Sequence, residues 1–226
     1  MDYDRIKYAV YGVFKTCSIH ALPFDCMYIL AELGYKCKKY SDMSEKGFDA
    51  CLELSNDAHT IGKEIFYNDK KAKRRIRFSL MHELGHLVLD TDDEAEANTF
   101  ASNILAPSMA VHYSNIKNVR ELSNLFDVSL ECAKYALDTC EKWSYSAKKY
   151  GMTDIDKKLY NHFFDRENQR FVFKKTQCAY CDTILFNSNK PLCQECDKPH
   201  HDPLSYTDHR TEDFIIAENQ WLYGGF

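Results

Sequence analysis

The 226-residue chain has no apolar run suited to crossing a membrane. Its longest uncharged stretch, around 98–116, is broken throughout by Asn, Ser, His and Pro and is too polar to insert. The N-terminus, MDYDRIKYAV, opens with acidic residues and lacks the apolar core of a secretory signal. These absences predict a cytoplasmic protein with no membrane partner. Positive charge is not in excess either: 29 Lys and Arg against 34 Asp and Glu leave −5. Bulk attraction to nucleic acid is therefore excluded, though a local basic face is not. No repeat or low-complexity tract is present, and 45% hydrophobic with 28% charged residues excludes a disordered chain.

What the chain does have is cysteine, 10 in all. In a reducing compartment, scattered cysteines indicate packing and clustered ones indicate metal. Cys17, Cys26, Cys37, Cys51, Cys132 and Cys140 are scattered among apolar residues and read as core thiols. Cys178-x-x-Cys181 and Cys193-x-x-Cys196 are two knuckles separated by eleven residues, with Asn187 and Pro191 suited to a turn between them. Four such thiolates make a closed structural zinc site of zinc-ribbon type, with His200 or His201 as a possible replacement ligand. A module presenting this site would offer a surface to a protein or nucleic acid, or cover a cleft.

Helical apolar spacing covers 3–14 and 25–34, with a turn at Pro23 between them. Ala50–Leu54 reads as a strand, Ser55–Thr60 as a loop and Glu64–Asn68 as a second strand. Helices are expected from about Ile76 to Leu89 and from about Asp93 to Ala106, the latter ended by Pro107. Two short helices follow in 118–142, and another in 153–166. The basic cluster Lys70, Lys71, Lys73, Arg74, Arg75 and Arg77 reads as a solvated turn or, less simply, a steering patch. The apolar tail Trp221–Phe226 suits docking or recognition.

His82-Glu83-Leu84-Gly85-His86 is the H-E-x-x-H pattern. On a helix, positions four apart project from one face at metal-ligand spacing, and Glu83 lies one position round, where it can act as general base. Phe78, Leu80, Met81, Leu84, Leu87 and Val88 give that helix an apolar frame. Polar groups buried there without a ligand would be costly, so a catalytic zinc explains them. A third ligand is required. Glu94 is favoured and Glu96 is the alternative, with Asn98 orienting a ligand from behind. Thr91 and Asp93 both stand at capping spacing for the same helix. Tyr67, His112 and Tyr113 are candidates to stabilise an oxyanion, and the strand Glu64–Tyr67 could be an edge that pairs with extended substrate.

Arg77-Phe-Ser-Leu-Met-His-Glu-Leu-Gly-His86, preceded by Ile65-Phe-Tyr-Asn68 and followed by Glu94-Ala-Glu-Ala-Asn98-Thr-Phe-Ala-Ser-Asn-Ile-Leu-Ala-Pro107, resembles the ImmA/IrrE-type metallopeptidases over roughly 20–140. The chain departs from their pattern in its short connector, seven residues between His86 and Glu94, and in Ala106 where Met is usual. The resemblance implies an α+β fold: a small gluzincin-like zinc-peptidase domain with mostly helical surroundings, a His-His-Glu site, and limited cleavage of a protein partner. That partner would be a helix-turn-helix repressor of a mobile element or stress response. A zinc ribbon lies outside the family pattern. The domains expected are a peptidase domain over 1–142, a helical linker over 143–170, and a zinc-ribbon module with its tail over 171–226.

Val119–Leu137 has the cadence of a helix-turn-helix, with Ser129 capping the second helix. That helix opens with Leu130 and Glu131 rather than the Arg, Lys, Asn or Gln that read bases, so a supporting or partner-binding pair is the simpler reading. A different class also fits the whole chain: a non-catalytic, zinc-stabilised regulatory protein on a peptidase scaffold, for which Glu83 would have no use.

Overall fold

A computed structural model describes residues 2–198. His200, His201 and the Trp221–Phe226 tail lie outside them. The described residues fall into two compact units, one of 2–176 with Ile184–Asn189 and the other of Gln177–Thr183 with 190–198. The first is a helix-rich α+β body. Among the described residues, no helix is long and apolar enough to cross a membrane.

Helix α1 (Tyr3–Thr16) is capped by the Asp2 carboxylate and buries Ile6, Val10, Val13 and Phe14 at helical spacing. Helix α2 (Cys26–Glu32) follows, and Gly34 leaves it at φ +84, a conformation that suits glycine. Strand β1 (Lys36–Lys39) then leads to helix α3 (Glu45–Leu54). Ala50–Leu54, expected as a strand, is the second half of this helix. The hydroxyl of Ser44 accepts a bond from Gly47 N and starts the helix upstream, and Phe48 and Cys51 share its inner face.

The expected loop at Ser55–Thr60 is also corrected, because Ala58–Ile61 forms strand β2. It turns through Gly62-Lys63 into β3 (Glu64–Tyr67), and Gly62 at φ +61 supplies the positive dihedral of a two-residue hairpin. The sheet order is β1-β3-β2, with β1 parallel and β2 antiparallel to β3. Glu64–Tyr67 is therefore the central strand, its backbone groups engaged on both sides, and not an edge. The edge beside the helices below is β2.

Helices α4 (Lys73–Leu89) and α5 (Glu94–Leu105) pack closely on each other. Asp93 caps α5 through Ala95 N at 2.8 Å, which settles the rivalry with Thr91. Pro107 ends α5 and opens α6 (Ser108–Ser114). Helix α7 (Val119–Phe126) and helix α8 follow. Ser129 caps α8 as expected, but α8 is long, running from Leu130 through position 142 to Tyr150. It stops at Gly151 (φ +84). Helix α9 (Asp154–His162) carries a Thr153–Asp156 capping box. Short strands β4 (Phe164–Asp165) and β5 (Arg170–Phe171) pair with each other, as do β6 (Lys175–Gln177) and β7 (Ile184–Phe186). Phe171 and Phe173 join the core of the first unit, where the Asn187 side chain binds Phe173 N at 2.9 Å and Phe171 O at 2.8 Å.

Of the six scattered cysteines, five are buried and Cys37 is half-buried. Burial pushes the Cys26 thiol up to about 12 and that of Cys132 to about 11, as expected of inert packing residues.

Lys70 and Lys71 of the basic cluster lie in the turn before α4, as read, but its arginines are paired rather than free. Arg74 reaches Ser123 Oγ at 2.7 Å and Asp127 at 3.2 Å, Arg75 grips Asp57 at 2.6 Å, and buried Arg77 donates to Phe24 O at 2.7 Å. Asp127 gathers Lys73, Arg74 and Arg77. Its burial alone would raise its carboxyl, but the bonds from Lys73 and Arg74 and the charge of Arg77 outweigh that and hold it below the usual carboxylate value. Asp127→Asn keeps a residue tolerant of the left-handed φ of 51° and removes the charge. Because the carboxylate is partly exposed, a loss of about 2 kcal/mol is expected, less than for a fully buried pair. Since the folded-state value is depressed, this stabilisation is complete above about pH 5 and fades as the carboxyl protonates. Urea titrations should show the wild-type advantage at pH 7 and its shrinkage below about pH 4.

Candidate active site

Helix α4 places His82, Glu83 and His86 toward a cavity of about 600 Å³. Two acceptors fix the imidazoles. His86 Nδ1 lies 2.8 Å from Thr91 O, a carbonyl that can only accept, so Nδ1 carries the proton. His82 Nδ1 lies 3.0 Å from Asn98 Oδ1 and is oriented in the same way. Both Nε2 lone pairs then face inward, 3.0 Å apart. The Glu94 carboxylate stands 3.2 Å from His82 Nε2 and 3.4 Å from His86 Nε2. Three electron-pair donors thus converge within 4.8 Å with no proton between them. They repel one another unless a cation sits among them, so the donor set suits a divalent metal such as zinc.

The short connector between the two helices is sufficient because α4 and α5 approach closely. Gly85 faces Ala97 there, and a Cβ on it would meet Ala97 Cα and O at 3.1 Å each. Glu96 points elsewhere, to Arg5 at 3.1 Å, because two residues along a helix turn it about 200° from Glu94. Thr60 Oγ1 of β2 donates to Glu83 Oε2 at 2.7 Å and orients that carboxylate.

None of Tyr67, His112 and Tyr113 lines the cavity. Tyr67 is buried on the central strand, and burial raises its phenol. His112 packs edge-on to Trp143 and Tyr113 stacks on Phe171 at 4.7 Å, because α6 lies against α8 and α9. Their selection as oxyanion donors is corrected accordingly.

Sequence reasoning gave Thr91 only as a capping candidate, and it missed Thr60 and His59. The last lines the cavity from β2, stacks on Phe66, and holds Tyr40 Oη through Nδ1 at 2.9 Å. Tyr40 itself donates to Ser55 O at 3.0 Å, so His59 Nδ1 is the donor to the phenol. Burial lowers the His59 pKa, with the Glu83 charge acting in opposition. No local pattern marks these two, although the Ile61-Gly62-Lys63-Glu64 turn could have disclosed the hairpin that carries them.

In the second unit, the Cys178, Cys181, Cys193 and Cys196 sulfurs also lie within 4.8 Å of one another, with Cys181 and Cys193 3.7 Å apart. Backbone N–H groups, that of Cys193 foremost, pull the Cys178 thiol down to about 6, whereas the neighbouring sulfurs push Cys196 up. Such a cluster favours thiolate at one end and opposes it at the other unless a cation neutralises the set, and four sulfurs suit zinc.

A family model described as Peptidase M78, IrrE N-terminal-like domain, matches residues 41–138. The match covers the sheet's hairpin, both site helices and the start of α8, marks this region as a metallopeptidase-type domain, and ends well before the cysteine cluster. No curated protein matches the chain.

Proposed function

We propose that the protein is a zinc-dependent endopeptidase that cuts one protein partner in the cytoplasm. The observation that carries this reading is the convergence of His82, His86 and Glu94 beside a carboxylate, Glu83, that takes no part in the cluster. Zinc held there would polarise the scissile carbonyl and lower the pKa of water from 15.7 to about 7. Glu83 takes the proton of the attacking water and returns it to the leaving amine. Thr60 steadies Glu83 during this transfer, while Asn98 and Thr91 O keep the imidazoles in their ligating tautomers. The exposed side of β2 replaces Glu64–Tyr67 as the strand on which an extended substrate would pair.

The partner proposed is a helix-turn-helix repressor of a mobile element or stress response, in line with the family resemblance. Co-expression with a repressor of this kind encoded beside the gene should give two fragments by mass spectrometry. Glu94→Ala should give none. An intact repressor with the unaltered protein would overturn the substrate, and fragments of equal yield with Glu94→Ala would overturn the site.

A second zinc is proposed at the four cysteines, where it would supply much of the folding free energy of a small module. Elemental analysis should return two zinc ions per chain and one for Cys178→Ser. One ion in the unaltered protein would remove either the ribbon or the active site.

A further inference from the structure

The catalytic cavity does not end at the histidines. A second cavity, of about 590 Å³, shares Arg75, Phe78 and Asn98 with it, so the two are halves of one groove. The second half has a different character. Beyond Phe78 its apolar walls are Tyr3 of α1, Ala95 of α5, and Cys132 and Tyr135 of α8, set among hydroxyls of α5 and the α8 cap and the Glu131 carboxylate. Tyr3 is 53% and Tyr135 39% exposed, two rings left in water where the groove opens.

The α7–α8 pair meets the groove here. Ala133, Ala136 and Cys140 bury one face of α8 in the core and set its rotation. Its N-terminal part, the portion a DNA-reading pair would lay in the major groove, lines this cavity instead. Of the side chains it offers, the Glu131 carboxylate repels phosphate, and the Tyr135 ring with the Cys132 thiol beside it suits an apolar side chain.

We propose that this half of the groove is a substrate subsite for an aromatic or large aliphatic residue lying to one side of the scissile bond, with α8 as its wall. The proposal rests on the peptidase reading for the identity of its occupant. Adjacency to the catalytic cavity favours a peptide over any other ligand, because Arg75, Phe78 and Asn98 border both cavities and a chain leaving the histidines past them reaches the second. Offset or edge-on stacking against Tyr3 and Tyr135 would supply the preference.

A pool of short randomised peptides tests this in two ways with the full chain. Peptides retained by Glu83→Gln protein, which keeps the groove and loses the base, should be enriched about tenfold in Phe, Tyr, Trp or Leu over the input. The same enrichment should appear at one fixed distance from the bonds that unaltered protein cuts. Adding Tyr3→Ala and Tyr135→Ala to the capture protein should erase it, whereas Tyr135→Phe should keep it. Both tyrosines are exposed, and thermal melting will show that the variants fold. Cutting without apolar preference, or enrichment that survives the double substitution, overturns the subsite and leaves the peptidase reading standing. Apolar enrichment on capture with no cutting by unaltered protein supports the subsite, and the repressor co-expression decides the peptidase reading separately. Neither capture nor cutting overturns the subsite.

Discussion

Glu83→Gln should lower peptide cleavage by about 10³-fold while zinc content and melting temperature stay unchanged. The substitution keeps shape and length. Its amide oxygen still accepts the bond that Thr60 Oγ1 donates over 2.7 Å, so the side chain keeps its place. An amide cannot take up a proton, and removing a positioned general base typically costs 10²- to 10⁴-fold, about 3–5 kcal/mol in barrier. The ligand cluster of His82, His86 and Glu94 does not include Glu83 and should hold metal as before. The loss belongs in kcat, with KM little altered. Equal cleavage by the variant would remove Glu83 from the chemistry, and loss of metal along with activity would make it a structural member of the site.

Gly85→Ala has the second largest expected effect, and its sign runs against helix propensity. In an open helix, alanine in place of glycine gains about 1 kcal/mol. At Gly85 the new methyl would stand 3.1 Å from Ala97 Cα and O and 3.2 Å from Phe100 Cδ1. Two of those atoms are backbone and cannot swing aside, so α5 must move. Overpacking of this kind costs about 1–3 kcal/mol beyond the propensity gain. Glu94 lies one turn before Ala97, so the same shift draws the carboxylate away from the histidines. Calorimetry should show a melting temperature several degrees lower, and zinc titration a weaker site. Gly12, exposed on α1 with nothing within 4 Å of its would-be Cβ, provides the control. Gly12→Ala should stabilise by up to about 1 kcal/mol. If Gly85→Ala also stabilised, the close approach of α4 and α5 would not be what places Glu94.

Much of the site's first rank was legible because its signals are local. His82, Glu83 and His86 sit on one helix whose apolar frame is visible over a few turns, and Asp93, Ser129 and Pro107 mark helix ends through their own hydrogen-bonding or steric chemistry. The cysteine knuckles were legible for the same reason. Ala50–Leu54 was misread because a short apolar run satisfies strand and helix alike, and the deciding feature, Ser44, stands several residues upstream. The Ser55–Thr60 misreading followed from it, hiding β2 and with it Thr60 and His59.

The residue order alone decided which side chains can act on a proton or a cation, because spacing along one helix is a property of the chain. It did not decide which acidic residue faces the histidines, which strand is the edge, or whether the long α8 reads a base or lines a groove. Those outcomes depend on how separate elements pack. Gly85 lets α5 approach, which presents Glu94 and sends Glu96 to Arg5. Pairing on both sides closes β3 and leaves β2 at the rim. The arginines of α4, which sequence reads as solvated charge, are spent on Asp57 and Asp127 because only the folded chain brings those carboxylates within reach.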